Sequence, residues 1–108
     1  MKFISKVALI TGSASNIGRS IALKSAQEGA NVVVHTKTNI EGGKEVTREI
    51  KAYGGTAVII QADLTEPQKV ESLFKQTLGH FGTLDILVNN AGSKARIGRV
   101  ERSVLDLT

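Results

Sequence analysis

The first candidate binding residues of the sequence lie in a loop that joins an apolar strand to a helix. Val-Ala-Leu-Ile at residues 7–10 leads into Thr-Gly-Ser-Ala-Ser-Asn-Ile-Gly at residues 11–18, here called the Gly12 loop. Gly12 permits a turn in which a side chain would clash. A helix starting near Asn16 would present free N–H groups and the positive end of its dipole to an anion. The loop follows neither the G-x-G-x-x-G nor the P-loop pattern, so by itself it could be an ordinary turn. Its place between a strand and a helix, with a second buried strand after them, favours a phosphate site.

Two further groups of polar residues come where buried strands would end. Asp63 either accepts a hydrogen bond from an adenine amino group or forms a cap or turn before the next helix. Asn-Asn-Ala-Gly at residues 89–92 follows a later apolar segment. It is either a plain loop or a place where two amides brace the neighbouring loops, while Ala91 and Gly92 leave room for a flat ligand.

The residues after the second apolar segment bear on which nucleotide would bind. An acidic side chain there would hold the ribose hydroxyls of NAD, but residues 35–38 are His-Thr-Lys-Thr. Lys37 either pairs with a 2′-phosphate, which favours NADP, or is a solvated lysine. The two histidines, His35 and His80, show no metal or triad spacing and are interpreted as structural or exposed.

Alternating strand and helix patterns must position these residues. In the first helix, Ile17, Ile21 and Ser25 are expected on one buried face. In the third, Thr65 with Gln68 three residues later predicts a capping box. The predicted strands are 6–11, 31–36, 56–61 and 85–89, and the predicted helices are 16–28, 40–53 and 66–81.

Strands separated by helices connect through right-handed crossovers, which predicts an α/β fold with a parallel sheet. We expect a Rossmann-type three-layer αβα arrangement with strand order 3-2-1-4. Ligands would bind at the carboxyl ends of the strands, where the Gly12 loop and residues 89–92 both lie. The fourth strand would be an unpaired edge, followed by a basic loop and the start of a helix in residues 93–108.

Composition narrows the function classes. The 108 residues suit one small domain, and without cysteine there is no disulfide or thiolate zinc site. Lys6 interrupts the N-terminal apolar run, and no stretch reaches the roughly 18 apolar residues that span a bilayer. We therefore expect a cytoplasmic protein with no membrane partner. The net charge of +4 indicates either a mildly basic surface or an anionic partner such as a nucleotide or nucleic acid. The basic cluster lacks interleaved aromatic side chains, which argues against binding of single-stranded nucleic acid: Lys94, Arg96, Arg99 and Arg102.

Together these motifs resemble those of the short-chain dehydrogenase/reductase family, classical type. The Gly12 loop is similar to the family's Thr-Gly-x-x-x-Gly-x-Gly, with Asn16 in place of the middle glycine. Asparagine tolerates left-handed backbone better than most residues. Asp63-Leu64 matches the family's acidic adenine contact, and residues 89–92 match its Asn-Asn-Ala-Gly motif. The resemblance spans residues 5–92.

The resemblance implies an oxidoreductase that transfers hydride between NADP(H), with NAD as the alternative, and a small carbonyl or alcohol substrate. A non-catalytic nucleotide-binding module is the competing interpretation. The complete enzyme is expected to be a homo-oligomer. The implied cofactor contacts are Gly12, Ser13, Ser15, Asn16, Ile17, Gly18, Thr36, Lys37, Asp63, Leu64, Asn89, Ala91 and Gly92.

The same resemblance implies that residues 1–92 are the NAD(P)-binding portion of a longer enzyme, with residues 93–108 in the same domain. The family's catalytic Ser and Tyr-x-x-x-Lys find no match here, since the single tyrosine, Tyr53, is followed four residues later by Ala57. We therefore expect a truncated Rossmann unit that binds cofactor and is inactive by itself.

Overall fold

The computed structural model describes residues 2–90 and 96–99. Strands and helices alternate as predicted as far as the fourth strand, and their ends differ from the predicted ends by a residue at most. The elements are β1 (Val7–Ile10), α1 (Asn16–Gln27), β2 (Asn31–Thr36), α2 (Ile40–Ala52), β3 (Thr56–Gln61), α3 (Pro67–Phe81), β4 (Ile86–Asn89) and β5 (Arg96–Arg99).

The sheet has the order β3-β2-β1-β4-β5, and its first four strands are parallel. This confirms the predicted Rossmann-type order 3-2-1-4. In the register of the central strand, Leu9 lies between Val33 of β2 and Leu87 of β4. The chain reverses its direction of winding between β1 and β4, so the loops after these two strands are neighbours at the carboxyl edge of the sheet.

Helices cover both faces of this sheet. On one face, side chains of β1 and β2 pack against α1 and α2 in a cluster that includes Ile10, Val34, Ala22, Val46 and Ile50. On the other face, a second cluster joins the alternate residues of the same strands to α3: Val7, Leu9, Val33, Ile60, Ala62, Leu73 and Leu84. Strands buried on both faces explain the uninterrupted apolar runs. Within the described residues, no helix is both long and apolar enough to cross a lipid bilayer.

One predicted feature of the sheet is wrong. β4 is not an edge strand, because β5 pairs with it in antiparallel register from Ile86 opposite Arg99 to Asn89 opposite Arg96. β5 falls in a segment predicted as a basic loop. Arg-Ile-Gly-Arg carries one large apolar residue and so no strand pattern. Its conformation is set by the row of backbone donors and acceptors along β4. Residues 100–108, including the predicted helix start, lie outside the described residues.

The predicted face of α1 holds for Ser25, which is buried, and for Ile21, which packs against the core, but it is wrong for Ile17. Ile17 is 65% exposed, because α1 turns Gly18, Ala22, Ser25 and Ala26 towards the sheet instead. These small residues let the helix approach the strands closely.

The predicted capping box of α3 does not form. The N-cap of this helix is Glu66, and in the described structure its side chain makes no capping bond. The Thr65 hydroxyl donates to Asp63 Oδ1 at 2.7 Å, and Thr65 lies in the turn one residue before the N-cap.

Candidate functional site

The Gly12 loop takes the conformation that its glycine permits. Gly12 has a φ of 63°, in the left-handed region. Its N–H donates to His35 Nδ1 at 3.0 Å, and its carbonyl oxygen accepts from Asn90 Nδ2 at 3.2 Å. The peptide groups on either side of Gly12 are therefore fixed by side chains from β2 and from the end of β4.

Ser13 ties the loop to the same strand. Its N–H donates to the His35 carbonyl at 2.9 Å, and its Oγ accepts from the His35 N–H at 2.9 Å. Ser13 is fully buried. It therefore holds the loop in place through its side chain, in addition to any contact with a ligand.

The start of α1 faces the space above the sheet. Asn16 has a φ of 55°, so asparagine does occupy a left-handed position where the related motif has glycine. Ser15 is the N-cap, but within the described part of the chain its side chain makes no capping bond. The N–H groups in the first turn of a helix have no acceptors within that helix, which suits them to an anion.

Gly18 lies directly beneath the loop. A Cβ atom there would collide with the carbonyl of Gly12 and with Nδ2 of Asn90. The loop and the helix start thus form one closely packed unit in which glycine at 18 is required by the lack of space.

The end of β4 is joined to β1 by the hydroxyl of Thr11. This oxygen accepts from the Asn90 N–H at 2.8 Å and lies 3.3 Å from the Val88 carbonyl and 3.4 Å from Asn89 Oδ1. Asn89 is exposed beside the loop, while Asn90 braces it as the paired amides suggested. Ala91 and Gly92, both predicted cofactor contacts, lie outside the described residues.

The end of β2 carries the predicted selectivity residues. Thr36 is buried, and its Oγ1 accepts from the N–H of Asn39, the N-cap of α2. The Lys37 side chain is 63% exposed, with Nζ 3.9 Å from Asp63 Oδ2. This separation and exposure make a weak ion pair. Lys37 is therefore available to a stronger anion.

Asp63, after β3, forms the turn that the sequence offered as one of two interpretations. Its Oδ1 accepts from the Thr65 hydroxyl and from the Thr65 N–H, at 2.7 and 2.9 Å. These two hydrogen bonds lower the pKa of the Asp63 carboxyl, and the bond from the Thr65 hydroxyl has the larger effect. Asp63 therefore carries a negative charge beside Lys37. Leu64 follows it, partly buried, and lines a cavity of about 250 Å³ with Thr11 and Asn89.

The structure thus brings the described site residues to one edge of the sheet. The loop after β1 lies at the centre, Thr36 and Lys37 follow β2, Asp63 and Leu64 follow β3, and Asn89 ends β4. The contribution of His35 to this site was missed. Its position at the end of β2 was the only signal in the sequence, and it was not sufficient, because the folded strand pair is needed to show that its ring reaches the loop.

Comparison with known proteins settles the family. The family model for short chain dehydrogenases matches residues 6–106. The chain belongs to the short-chain dehydrogenase/reductase family. Over 89 residues, 82% of this chain, it is 45% identical to the 3-oxoacyl-[acyl-carrier-protein] reductase FabG of Staphylococcus aureus. Over the same length it is 46% identical to the hydroxynaphthalene reductase-like protein Arp2 of Metarhizium robertsii.

Solved structures of this family share the fold. The short chain dehydrogenase from Burkholderia cenocepacia in complex with NADP superposes with a TM-score of 0.82 and 39% identity, covering 85% of this chain and 38% of that one. A dehydrogenase/reductase from Sinorhizobium meliloti gives a TM-score of 0.80 at 39% identity. The chain spans 36% of the length of the FabG relative and 33% of the Arp2 relative.

Proposed function

We propose that this chain is the cofactor-binding part of a short-chain dehydrogenase/reductase that uses NADP(H) to interconvert a carbonyl and an alcohol. The observation that carries the proposal is the Gly12 loop: a left-handed glycine, a tightly packed Gly18 and an uncapped helix start at the point where the sheet reverses its winding. A bound nicotinamide cofactor supplies the hydride chemistry.

The residues present fit a dinucleotide. A side chain at Gly18 or Gly42 would collide with the backbone carbonyls of Gly12 or Ala14, so this edge is held in one closely packed shape. The N–H groups at the start of α1 would bind the pyrophosphate. Asp63 and Leu64 would contact the adenine, with Asp63 Oδ1 held by Thr65 and Oδ2 directed towards the ligand side where Lys37 lies.

Lys37 supports the choice of NADP over NAD. A 2′-phosphate would be a stronger partner for this exposed ammonium group than the Asp63 carboxylate 3.9 Å away. Residues 35–38 include no carboxylate for the ribose hydroxyls of NAD. The fold's likeness to a dehydrogenase in complex with NADP is in keeping with this choice.

The substrate and the catalytic groups belong to the proposal for the whole enzyme. A carbonyl or alcohol substrate, the catalytic Ser and Tyr-x-x-x-Lys, a homo-oligomeric assembly and a cytoplasmic location all follow from the family resemblance. They stay predictions for this protein. The competing proposal, a nucleotide-binding module without catalysis, predicts that the complete protein binds NADPH and reduces no carbonyl compound.

Calorimetric titration of the protein with NADPH and NADH tests the proposed cofactor. We expect NADPH to bind more tightly, and Lys37→Glu to weaken NADPH binding by about tenfold, the value of a charge-assisted contact. NADH binding should stay the same or become tighter, because the new carboxylate lies where an acidic residue would hold the ribose hydroxyls of NAD. Lys75→Glu, at a similarly exposed lysine on α3, is the matched control and should change neither. Equal affinities that Lys37→Glu does not alter would refute the NADP preference.

A further inference from the structure

Both ring nitrogens and both backbone polar groups of His35 form hydrogen bonds beside the Gly12 loop. It is 1% exposed at the end of β2. Its Nδ1 meets the Gly12 N–H at 3.0 Å, and its Nε2 meets the Ala62 carbonyl at 2.8 Å. Its backbone N–H and carbonyl are both bonded to Ser13. One residue thus connects the loop after β1 to the end of β3.

The two ring partners determine which tautomer is present. A backbone N–H can only donate, so Nδ1 must carry a lone pair, and a carbonyl can only accept, so Nε2 must carry the proton. Protonation of Nδ1 would place two donors against each other at Gly12. Burial favours the neutral ring as well, because it lowers the pKa of His35.

We propose that His35 is a positioning residue: its Nδ1 atom holds the Gly12 amide and so sets the shape of the loop that receives the cofactor phosphates. This inference rests on the proposed dinucleotide function. Because the Gly12 N–H donates its hydrogen bond to His35, it does not donate one to a phosphate. Its role is to keep the left-handed turn that aims the following N–H groups at the ligand.

The geometry of the turn explains why this bond matters for binding. The Gly12 carbonyl is held from the other side by Asn90, so the two side chains fix the direction of the turn together. A left-handed glycine has many other accessible conformations. Without the acceptor at Nδ1, the loop would sample some of them and ligand binding would have to reorder it.

Two substitutions separate the two ring nitrogens. His35→Asn places an amide oxygen where Nδ1 lies and keeps the acceptor for Gly12, but does not reach Ala62. His35→Gln reaches the Ala62 carbonyl with its amide nitrogen and lacks the group at Nδ1. His80→Asn, at the other histidine of the chain, on the exposed end of α3, is the matched control.

The readouts are NADP⁺ affinity and amide hydrogen exchange of Gly12 without nucleotide. We expect His35→Gln to weaken NADP⁺ binding about fivefold, the value of one hydrogen bond, and to speed Gly12 exchange by a similar factor. His35→Asn should stay within about twofold of the original protein in both, and His80→Asn should match it. Equal behaviour of the Asn and Gln variants, in either direction, would overturn the proposal.

Nitrogen NMR of the protein with its original sequence gives a test that does not depend on whether a variant folds. We expect the His35 ring to be protonated at Nε2 alone near neutral pH, and protonation at Nδ1 would overturn the proposal. If NADP⁺ does not bind the original protein while Gly12 exchange still distinguishes the two variants, the cofactor proposal fails and the positioning of the loop by His35 stands.

Discussion

Gly18 lies so close to the carbonyl group of Gly12 that a single added carbon atom would not fit between them. The contact joins the first turn of α1 to the loop after β1. Because the obstructing atoms include backbone, they cannot move aside as a flexible side chain would. The loop that we propose to bind phosphate therefore depends on a glycine six residues further along the chain.

Gly18→Ala should lower the free energy of unfolding by about 2–3 kcal/mol, as overpacking does, and weaken NADP⁺ binding because the loop must shift. Chemical denaturation and calorimetric titration measure the two effects. Gly79→Ala is the control, since no described atom lies within 4 Å of a Cβ at this position in α3. That variant should be more stable by about 0.5–1 kcal/mol. A Gly18→Ala protein with unchanged stability and binding would contradict the close packing.

Asn90→Ala removes the amide that donates to the Gly12 carbonyl. The expected loss is about 1 kcal/mol of stability, the net value of one hydrogen bond, with weaker NADP⁺ binding. Thermal unfolding and calorimetry report these changes. Gln76→Ala deletes a bond of similar length between exposed side chains on α3 and should alter neither. Equal effects of the two substitutions would show that Asn90 does not brace the loop.

The N-caps of α1 and α2 should respond differently to alanine. Asn39 Oδ1 accepts from the Gly42 N–H at 3.0 Å, so Asn39→Ala should cost about 1 kcal/mol of unfolding free energy. In the described structure, the Ser15 side chain makes no capping bond, and Ser15→Ala should cost no more than a few tenths of a kcal/mol. Urea unfolding compares the two variants directly. A larger loss at Ser15 would mean that its hydroxyl caps α1.

The free energy of unfolding should decrease as the pH is lowered, because of His35. Its pKa in the folded chain lies below the ordinary 6.5, since burial disfavours the charged ring. In the window just below pH 6.5 the unfolded chain binds more protons than the folded one, so stability decreases as the pH drops. The charged groups next in the chain to His35 and to its partner Ala62 are Lys37 and Asp63, which face each other.

The comparison with His35→Asn isolates this contribution, because asparagine does not titrate. Urea unfolding at a series of pH values should show a steeper loss for the original protein between pH 6.5 and the range in which carboxylates titrate. Identical pH profiles for the original and His35→Asn proteins would contradict the buried neutral ring.

Much of the fold was predictable from local pattern. The run of three valines in β2 indicated burial on both faces, and helices of regular apolar period separated the strands. Together these patterns predicted the parallel sheet of order 3-2-1-4. The Gly12 loop, Asp63 and Asn89 were found because such residues follow strands, and the carboxyl ends of parallel strands meet at one edge.

Hydrogen-bond partners were not predictable in the same way. Either Thr65 or Glu66 could have been the N-cap of α3, and only the folded chain shows that Thr65 belongs to the preceding turn with Asp63. α1 could present Ile17 or Gly18 to the sheet, and the need for close approach selected the glycine.

Local patterns in the chain were enough to predict the order of the elements, the loop that suits a phosphate and the motifs of the family. These rest on short-range periodicity and on which backbone angles each residue permits. The tertiary structure decided that β5 covers the edge of β4 and that His35 and Asn90 hold Gly12 from two sides. Such contacts join residues far apart in the chain, and they exist only once the strands that carry them lie side by side.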